Sequence, residues 1–129
     1  MPLVKIETRK FWDASQKLEI MEAIHSAMRQ ALTIPENDRD IRLQEYHPED
    51  YQVSPDKTQN YILVEITLFT GRSLQAKKEL YQGIVTNLGK VGIRAGDVFI
   101  VLLEVPLENW GIRGGIPASE VDLGFNVGV

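Results

Sequence analysis

The sequence predicts an α+β fold in which a duplicated β-α-β unit forms a four-stranded sheet with two helices on one face. Strand-like alternation and helix-like periodicity follow each other twice, over about 2–46 and 61–105. The two halves also align: Asp38 to Glu45 matches Asp97 to Glu104, which makes an internal repeat of about sixty residues. Two right-handed β-α-β units can share one sheet, with both helices on the same side.

The first unit opens with a strand over Leu3 to Thr8, where apolar and polar residues alternate. Asp13 and Gln16 are spaced like a capping box, so they mark the start of a helix. Apolar residues then recur at helical spacing as far as Leu32. After a proline-containing break, Asp40 to Tyr46 is predicted as the second strand.

The second unit follows a polar connector and begins with a predicted strand over Tyr61 to Leu68. Ser73 is a good N-cap for a second helix, which continues through Lys77, Tyr81, Ile84, Leu88 and Val91 at helical spacing, with mostly polar residues at the other positions. The continuous apolar run Val98 to Val105 is typical of a strand buried on both faces, so we expect it to be central. A C-terminal segment, 106–129, completes the chain.

The helices would leave the other face of the sheet uncovered, and that face is expected to carry apolar residues from all four strands. Large apolar patches are uncommon on monomers and mark contact surfaces. We therefore expect a small cyclic oligomer, with a homotrimer as the predicted state.

Size and composition exclude several classes of function. A chain of 129 residues is expected to form one domain, 1–129. No apolar run is long enough to span a membrane and no signal peptide is recognisable, so the expected location is the cytoplasm. The absence of cysteine and the two isolated histidines argue against a metal site, and the net charge of −4 argues against nucleic-acid binding. Small-molecule chemistry without a cofactor, or protein contact, remains.

Three segments carry a resemblance to a known family. They are Met1-Pro2-Leu3, Gly71-Arg72-Ser73-Leu74-Gln75-Ala76-Lys77, and Trp110-Gly111-Ile112-Arg113-Gly114-Gly115 followed by Ala118-Ser119. In this order they resemble the tautomerase superfamily, whose fold is related to the ferredoxin-like fold and whose members use an amino-terminal proline. The last two segments look like 4-oxalocrotonate tautomerase. The length, the duplication and the segment Pro35 to Arg39 are closer to malonate semialdehyde decarboxylase and its relatives.

The resemblance implies that Pro2 is the catalytic base or acid once Met1 has been removed. A free α-amino group has a pKa of about 8, and burial beside a cation favours its neutral form. A base of that strength suits proton abstraction next to a carbonyl. Arg72 is implied beside the proline, where its guanidinium would bind a substrate carboxylate and stabilise an enolate. The alternative roles are an ordinary second residue for Pro2 and a solvated turn residue for Arg72.

The resemblance also assigns supporting roles. Asp38 corresponds to an aspartate that orients or activates water in the decarboxylase, although Asp38 and Asp97 could both simply end a turn. Trp110 is expected to form an apolar wall or a subunit contact. Thr70 and Ile112 stand where the decarboxylase has an arginine and a phenylalanine, and both are predicted to contact substrate.

Three further sets of residues receive ordinary interpretations. Arg113 is more simply a surface charge than a second carboxylate ligand, and His25 and His47 are taken as ordinary helix and loop residues. Nothing in the spacing of Tyr46, Tyr51 and Tyr61 assigns them to a pocket.

These roles predict a cofactor-independent keto-enol tautomerase of 2-oxo acids that acts on a small carboxylate substrate. One alternative is hydration or decarboxylation of a three-carbon oxo acid, with Asp38 activating water. An alternative of another class is a non-catalytic binding module, in which Pro2 has no chemical role.

Overall fold

The computed structural model describes residues 2–125 and 127–128. Two β-α-β units follow each other along the chain. The first consists of β1 (Leu3–Thr8), α1 (Ala14–Leu32) and β2 (Ile41–Glu45). The second consists of β3 (Ile62–Phe69), α2 (Leu74–Lys90) and β4 (Val98–Val105). A short hairpin near the C-terminus adds β5 (Gly111–Ile112) and β6 (Ile116–Pro117).

The four long strands form one mixed sheet in the order β2-β1-β3-β4. Each unit pairs its own two strands in parallel, and the two units meet where β1 and β3 run antiparallel. Both helices pack on one face of the sheet and contact each other. The predicted fold class, a duplicated β-α-β unit with two helices on one face, is therefore confirmed.

The core lies between the sheet and the two helices. In β1 every second residue is buried, and Val4 and Ile6 are fully inaccessible. Each such side chain contributes about 1.5–3 kcal/mol when it is fully buried. The helices approach closely at Gly83, where an added methyl group would lie 3.2 Å from the Cβ atom of Ala27.

Both helices begin at the predicted caps. The Asp13 side chain accepts a hydrogen bond from the backbone N–H of Gln16, and the Gln16 side chain accepts one from the backbone N–H of Asp13. The predicted capping box is therefore present. The Ser73 side chain caps α2 through the backbone N–H of Ala76. The helix predicted after Ser73 is confirmed as α2, and its buried residues are Ala76, Leu80, Ile84 and Leu88.

The prediction that the apolar run Val98 to Val105 forms a central strand is wrong. This strand, β4, lies at the edge of the sheet, and Phe99 and Leu103 are 52% and 45% exposed. One side of the strand packs on the core through Ile100 and Leu102. Its other side belongs to the face that the helices leave uncovered, so apolar residues on both sides of a strand did not require a central position in the sheet.

The uncovered face is less apolar than expected. Apolar residues are concentrated on β4, whereas β1 and β2 present Lys5, Arg42 and Gln44 on this side.

Within residues 2–125 and 127–128, neither helix is long and apolar enough to cross a membrane.

Candidate active site

The predicted site residues lie at one end of the sheet, where β1 and β2 begin and β3 and β4 end. Pro2 is buried and directly precedes Leu3, which pairs with Thr67 near the end of β3. On the other side of β1, the backbone N–H of Val4 donates to the carbonyl of Asp40 at 2.9 Å. The sheet register thus brings the start of the chain beside the segment before β2 and the end of β3.

Arg72 follows β3 in a turn that its neighbours fix. Gly71 has φ +141°, and a Cβ atom at this position would lie 2.9 Å from the carbonyl oxygen of Val127. Ser73 then caps α2. A residue with a side chain would be strained at Gly71 and would displace the C-terminal segment, so glycine is required there. This turn directs the Arg72 side chain to a buried position.

The Arg72 guanidinium is buried with few protein partners. Arg72 is 5% exposed, and its Nη1 donates to the carbonyl of Phe69 at 3.4 Å. Nε and Nη2 have no hydrogen-bond partner among the described residues. Burial lowers the pKa of Arg72, while the charges of Asp38 and Glu104 oppose this change. A buried cation with unpaired donors can bind an anion that brings its own oxygen atoms.

A cluster of three aromatic rings borders this arginine through Phe125. Phe69 is fully buried, and its ring centroid lies 4.7 Å from that of Trp110 and 6.4 Å from that of Phe125. The Arg72 guanidinium carbon lies 6.0 Å from the centre of the Phe125 ring. Trp110 is half-buried, and its Nε1 donates to the carbonyl of Val105 at 3.0 Å. Trp110 therefore lies in the aromatic group that borders the arginine.

Sequence analysis missed Phe125. The chain has no other aromatic residue after Trp110, which is the one signal that could have singled it out. Only the folding of the C-terminal segment back over the Gly71 turn brings this ring to Arg72.

Asp38 and Asp97, which match in the repeat, have different surroundings. Asp38 is half-buried in the turn before β2, and its charge acts on Arg72. Asp97 lies at the opposite end of the sheet and is 1% exposed. It accepts hydrogen bonds from the backbone N–H of Thr58 at 2.8 Å, from the Thr58 hydroxyl and from Arg94. Burial raises the pKa of Asp97, but these hydrogen bonds outweigh it and the net pKa is lowered.

Thr70, Ile112 and Arg113 lie on the segments around the arginine and the tryptophan. Thr70 is exposed, and its backbone N–H donates to the carbonyl of Val105 at 3.2 Å. Ile112 is half-buried in β5 and pairs with Ile116 in β6. Arg113 is exposed with φ 50°. The substrate contacts of Thr70 and Ile112 stay predictions.

An ion pair between Lys77 and Glu104 also lies at this end of the sheet, and sequence analysis missed it. Lys77 Nζ lies 2.6 Å from Glu104 Oε1. The first half holds the matching pair, with Lys17 Nζ 2.6 Å from Glu45 Oε1. Each lysine is the fourth residue after its helix cap, and each glutamate lies near the end of a parallel strand.

The tyrosines and histidines contribute elsewhere. Tyr51 and Tyr61 line a cavity of about 520 Å³ together with Phe99, and this cavity lies at the opposite end of the sheet from Arg72. Burial raises the pKa of Tyr51 to about 12, so its phenol stays protonated. His25 is fully buried in α1, where its Nε2 lies 2.9 Å from the carbonyl oxygen of Glu36.

Comparisons with known proteins agree with this architecture. Two family models, both described as tautomerase enzyme, match residues 38–113 and residues 2–59. The Bacillus subtilis (strain 168) protein named probable tautomerase YusQ is 27% identical over 121 residues, which cover 89% of this chain and 95% of that protein.

Solved structures show the same fold. An FG41 malonate semialdehyde decarboxylase inhibited by 3-bromopropiolate is 24% identical with a TM-score of 0.81, covering 91% of this chain and 92% of that one. A fused 4-OT, described as a wild-type symmetric trimer, is 24% identical with a TM-score of 0.81, covering 91% and 96%. Since one family model alone matches more than half of the sequence, the chain belongs to the tautomerase family.

Proposed function

We propose that this chain catalyses keto-enol tautomerisation of 2-oxo acids, with the amino group of Pro2 as the base and acid. Arg72 binds the substrate carboxylate, and Trp110 borders the site. The observation that carries this proposal is the Arg72 guanidinium, which is 5% exposed and has two nitrogen atoms without a hydrogen-bond partner among the described residues. A bound carboxylate would supply the missing acceptors.

The chemistry moves one proton off the enol oxygen and one proton onto the carbon next to the carbonyl. In the proposed direction, the neutral Pro2 amine accepts the proton of the enol hydroxyl, and the ammonium group so formed delivers a proton to the carbon, which returns the amine to its neutral form as the keto product appears. The developing negative charge lies close to the carboxylate, where the guanidinium stabilises it. No redox partner is required.

The buried position of Pro2 supports its role. A secondary amine in a site of low polarity beside a cation favours the uncharged form, which is the form that accepts a proton. This role requires removal of Met1, because a proline nitrogen inside a peptide bond is not basic. Intact mass spectrometry of the protein purified from its host measures whether Met1 has been removed.

Turnover of the enol form of phenylpyruvate, followed by ultraviolet absorbance, tests the activity. Pro2→Ala and Arg72→Met should each reduce kcat/KM by about 100-fold or more, the scale of a lost acid-base group or oxyanion donor. Pro35→Ala is the control, because Pro35 is exposed in the loop before β2. Wild-type turnover by Pro2→Ala would contradict the role of Pro2, and no turnover by the wild type would favour a non-catalytic binding module.

Covalent labelling tests the amine independently of turnover. The decarboxylase neighbour is inhibited by 3-bromopropiolate. We expect this reagent to modify the peptide that begins with Pro2 and to react more slowly with Arg72→Met, which lacks the carboxylate partner. Modification only at lysine side chains would contradict a reactive amino terminus.

Hydration or decarboxylation of a three-carbon oxo acid is the second candidate. The half-buried position of Asp38 and its electrostatic effect on Arg72 favour it, since a carboxylate there can orient a water molecule. Incubation with malonate semialdehyde, with acetaldehyde and carbon dioxide as the measured products, separates it from simple tautomerisation. Asp38→Asn should abolish this reaction while it leaves enol turnover measurable.

We also propose that the protein assembles as a homotrimer. Phe99 and Leu103 lie exposed on the uncovered sheet face, and the fused 4-OT neighbours are described as trimers. Light scattering coupled to size-exclusion chromatography should give three times the chain mass. Leu103→Asp should shift the protein towards monomer, whereas the same change at exposed Leu18 on α1 should leave the trimer intact. A wild-type monomer would contradict the proposal.

A further inference from the structure

The duplication supplies an internal comparison for the charges around Arg72. In each half the residue before the helix cap is buried: Trp12 in the first half, at 7% exposure, and Arg72 in the second, at 5%. Each half also holds a lysine-glutamate pair at 2.6 Å. The two halves thus share the lysine-glutamate ion pair but differ in the buried residue before the helix cap, which is Trp12 in the first half and Arg72 in the second.

In the first half the ion pair completes a structural contact. Glu45 accepts from Lys17 through Oε1 and from the backbone N–H of Trp12 through Oε2, the latter at 2.5 Å. Trp12 carries no charge, so the residue that matches Arg72 does not compete for the Glu45 carboxylate. Glu45 thus connects the end of β2 to the start of α1 through its contacts with Lys17 and the Trp12 backbone.

In the second half the position that matches Trp12 holds a cation, Arg72. Glu104 occupies the end of β4, where the sheet register places it beside Leu68 of β3, and β3 leads into the turn that carries Arg72. The Glu104 charge acts on Arg72. A guanidinium pairs preferentially with carboxylates, so Glu104 would compete for Arg72 if Lys77 did not hold it.

We propose that Lys77 is a positioning residue that holds the Glu104 carboxylate away from Arg72, so that the guanidinium stays available to a substrate carboxylate. The inference rests on the proposed role of Arg72. Lys77 Nζ lies 2.6 Å from Glu104 Oε1, while Nε and Nη2 of Arg72 have no hydrogen-bond partner among the described residues. The ion pair therefore favours binding of a carboxylate without contacting it.

The test measures binding of phenylacetate, a carboxylate that cannot tautomerise, by isothermal titration calorimetry. Lys77→Met should weaken binding by about tenfold, the equivalent of 1.4 kcal/mol, because Glu104 then pairs with Arg72. It should raise KM for the enol substrate with little change in kcat. Glu104→Gln added to Lys77→Met should restore binding, and Lys77→Arg, which keeps the ion pair, should bind like the wild type.

Lys17→Met is the matched control, since it breaks the equivalent pair at the other end of the sheet. We expect it to lower thermal stability and to leave phenylacetate binding unchanged. Unchanged binding by Lys77→Met, no restoration by Glu104→Gln, or equal weakening by Lys17→Met would each overturn the inference.

The binding readout also separates this inference from the proposed function. A wild type that binds phenylacetate but turns over no enol contradicts the tautomerase proposal and leaves the role of Lys77 testable through binding. Normal turnover with no effect of Lys77→Met contradicts only the inference.

Discussion

Replacing Arg72 by methionine should stabilise the fold while it removes the activity. Methionine keeps an unbranched apolar side chain in the buried position and removes the guanidinium. Nε and Nη2 are buried without a partner among the described residues, and each such donor costs about 1–3 kcal/mol of folding free energy. The buried cation is thus a cost to stability that the proposed function explains.

The stabilising interactions of Arg72 that the substitution removes contribute less free energy than the unpaired donors cost. The hydrogen bond from Nη1 to the Phe69 carbonyl is long, at 3.4 Å, and contributes at most about 1 kcal/mol. The contact with the Phe125 ring, at 6.0 Å, contributes about 0.5 kcal/mol. With the lost attraction to Asp38 and Glu104 included, we expect a net gain of about 1 kcal/mol, which corresponds to a rise in Tm of about 4 °C.

Differential scanning calorimetry and urea unfolding measure this change. Arg94→Met is the contrasting variant, because Arg94 pairs with the buried carboxylate of Asp97 and its loss should lower Tm. A fall in Tm of several degrees for Arg72→Met would refute the reasoning, since it would mean that the guanidinium is well paired in the folded protein.

Three further predictions follow from other parts of the structure. Asp97→Asn should lower the free energy of unfolding by about 2–3 kcal/mol near neutral pH, because the amide cannot accept every hydrogen bond from Thr58 and Arg94. Since the pKa of Asp97 is lowered in the folded protein, its stabilising contribution is present above the unfolded pKa and is lost as the pH falls through the folded pKa. Urea unfolding should therefore show a difference in stability between variant and wild type that becomes smaller at acidic pH. A constant difference down to low pH would contradict this. Asp13→Ala should cost about 1 kcal/mol in the same assay through loss of the α1 cap, and an unchanged midpoint would contradict a role for the capping box. Gly71→Ala should lower the free energy of unfolding by about 1–3 kcal/mol and weaken phenylacetate binding, because the Cβ atom of alanine would displace the C-terminal segment that covers Arg72. Wild-type stability of this variant would show that the turn tolerates a side chain.

Local patterns predicted the elements well because they depend on neighbouring residues. The alternation in β1 predicted which residues face the core, and the spacing of Asp13 and Gln16 predicted the start of α1. Ser73 was also identified correctly as the cap of α2. Each of these features is fixed within a few residues of chain.

Features that depend on distant segments were not predictable in this way. The apolar run of β4 is compatible with a central or an edge strand, and only the strand order decided between them. No pattern in the sequence near Phe125 predicts its contact with Arg72, because Arg72 lies about fifty residues earlier in the chain. The partnership of Lys77 with Glu104 likewise requires the crossover that brings α2 over the end of β4.

By itself, the sequence determined the duplicated β-α-β architecture, the helix starts and the resemblance that singled out Pro2, Arg72 and Trp110. Periodicity and capping act over a few residues, so they can be read along the chain. Only the tertiary structure decided that the arginine is buried with unpaired nitrogen atoms, that the C-terminal segment covers it and that a glutamate stands beside it. Burial and charge are properties of groups brought together from distant parts of the chain, and folding alone sets them.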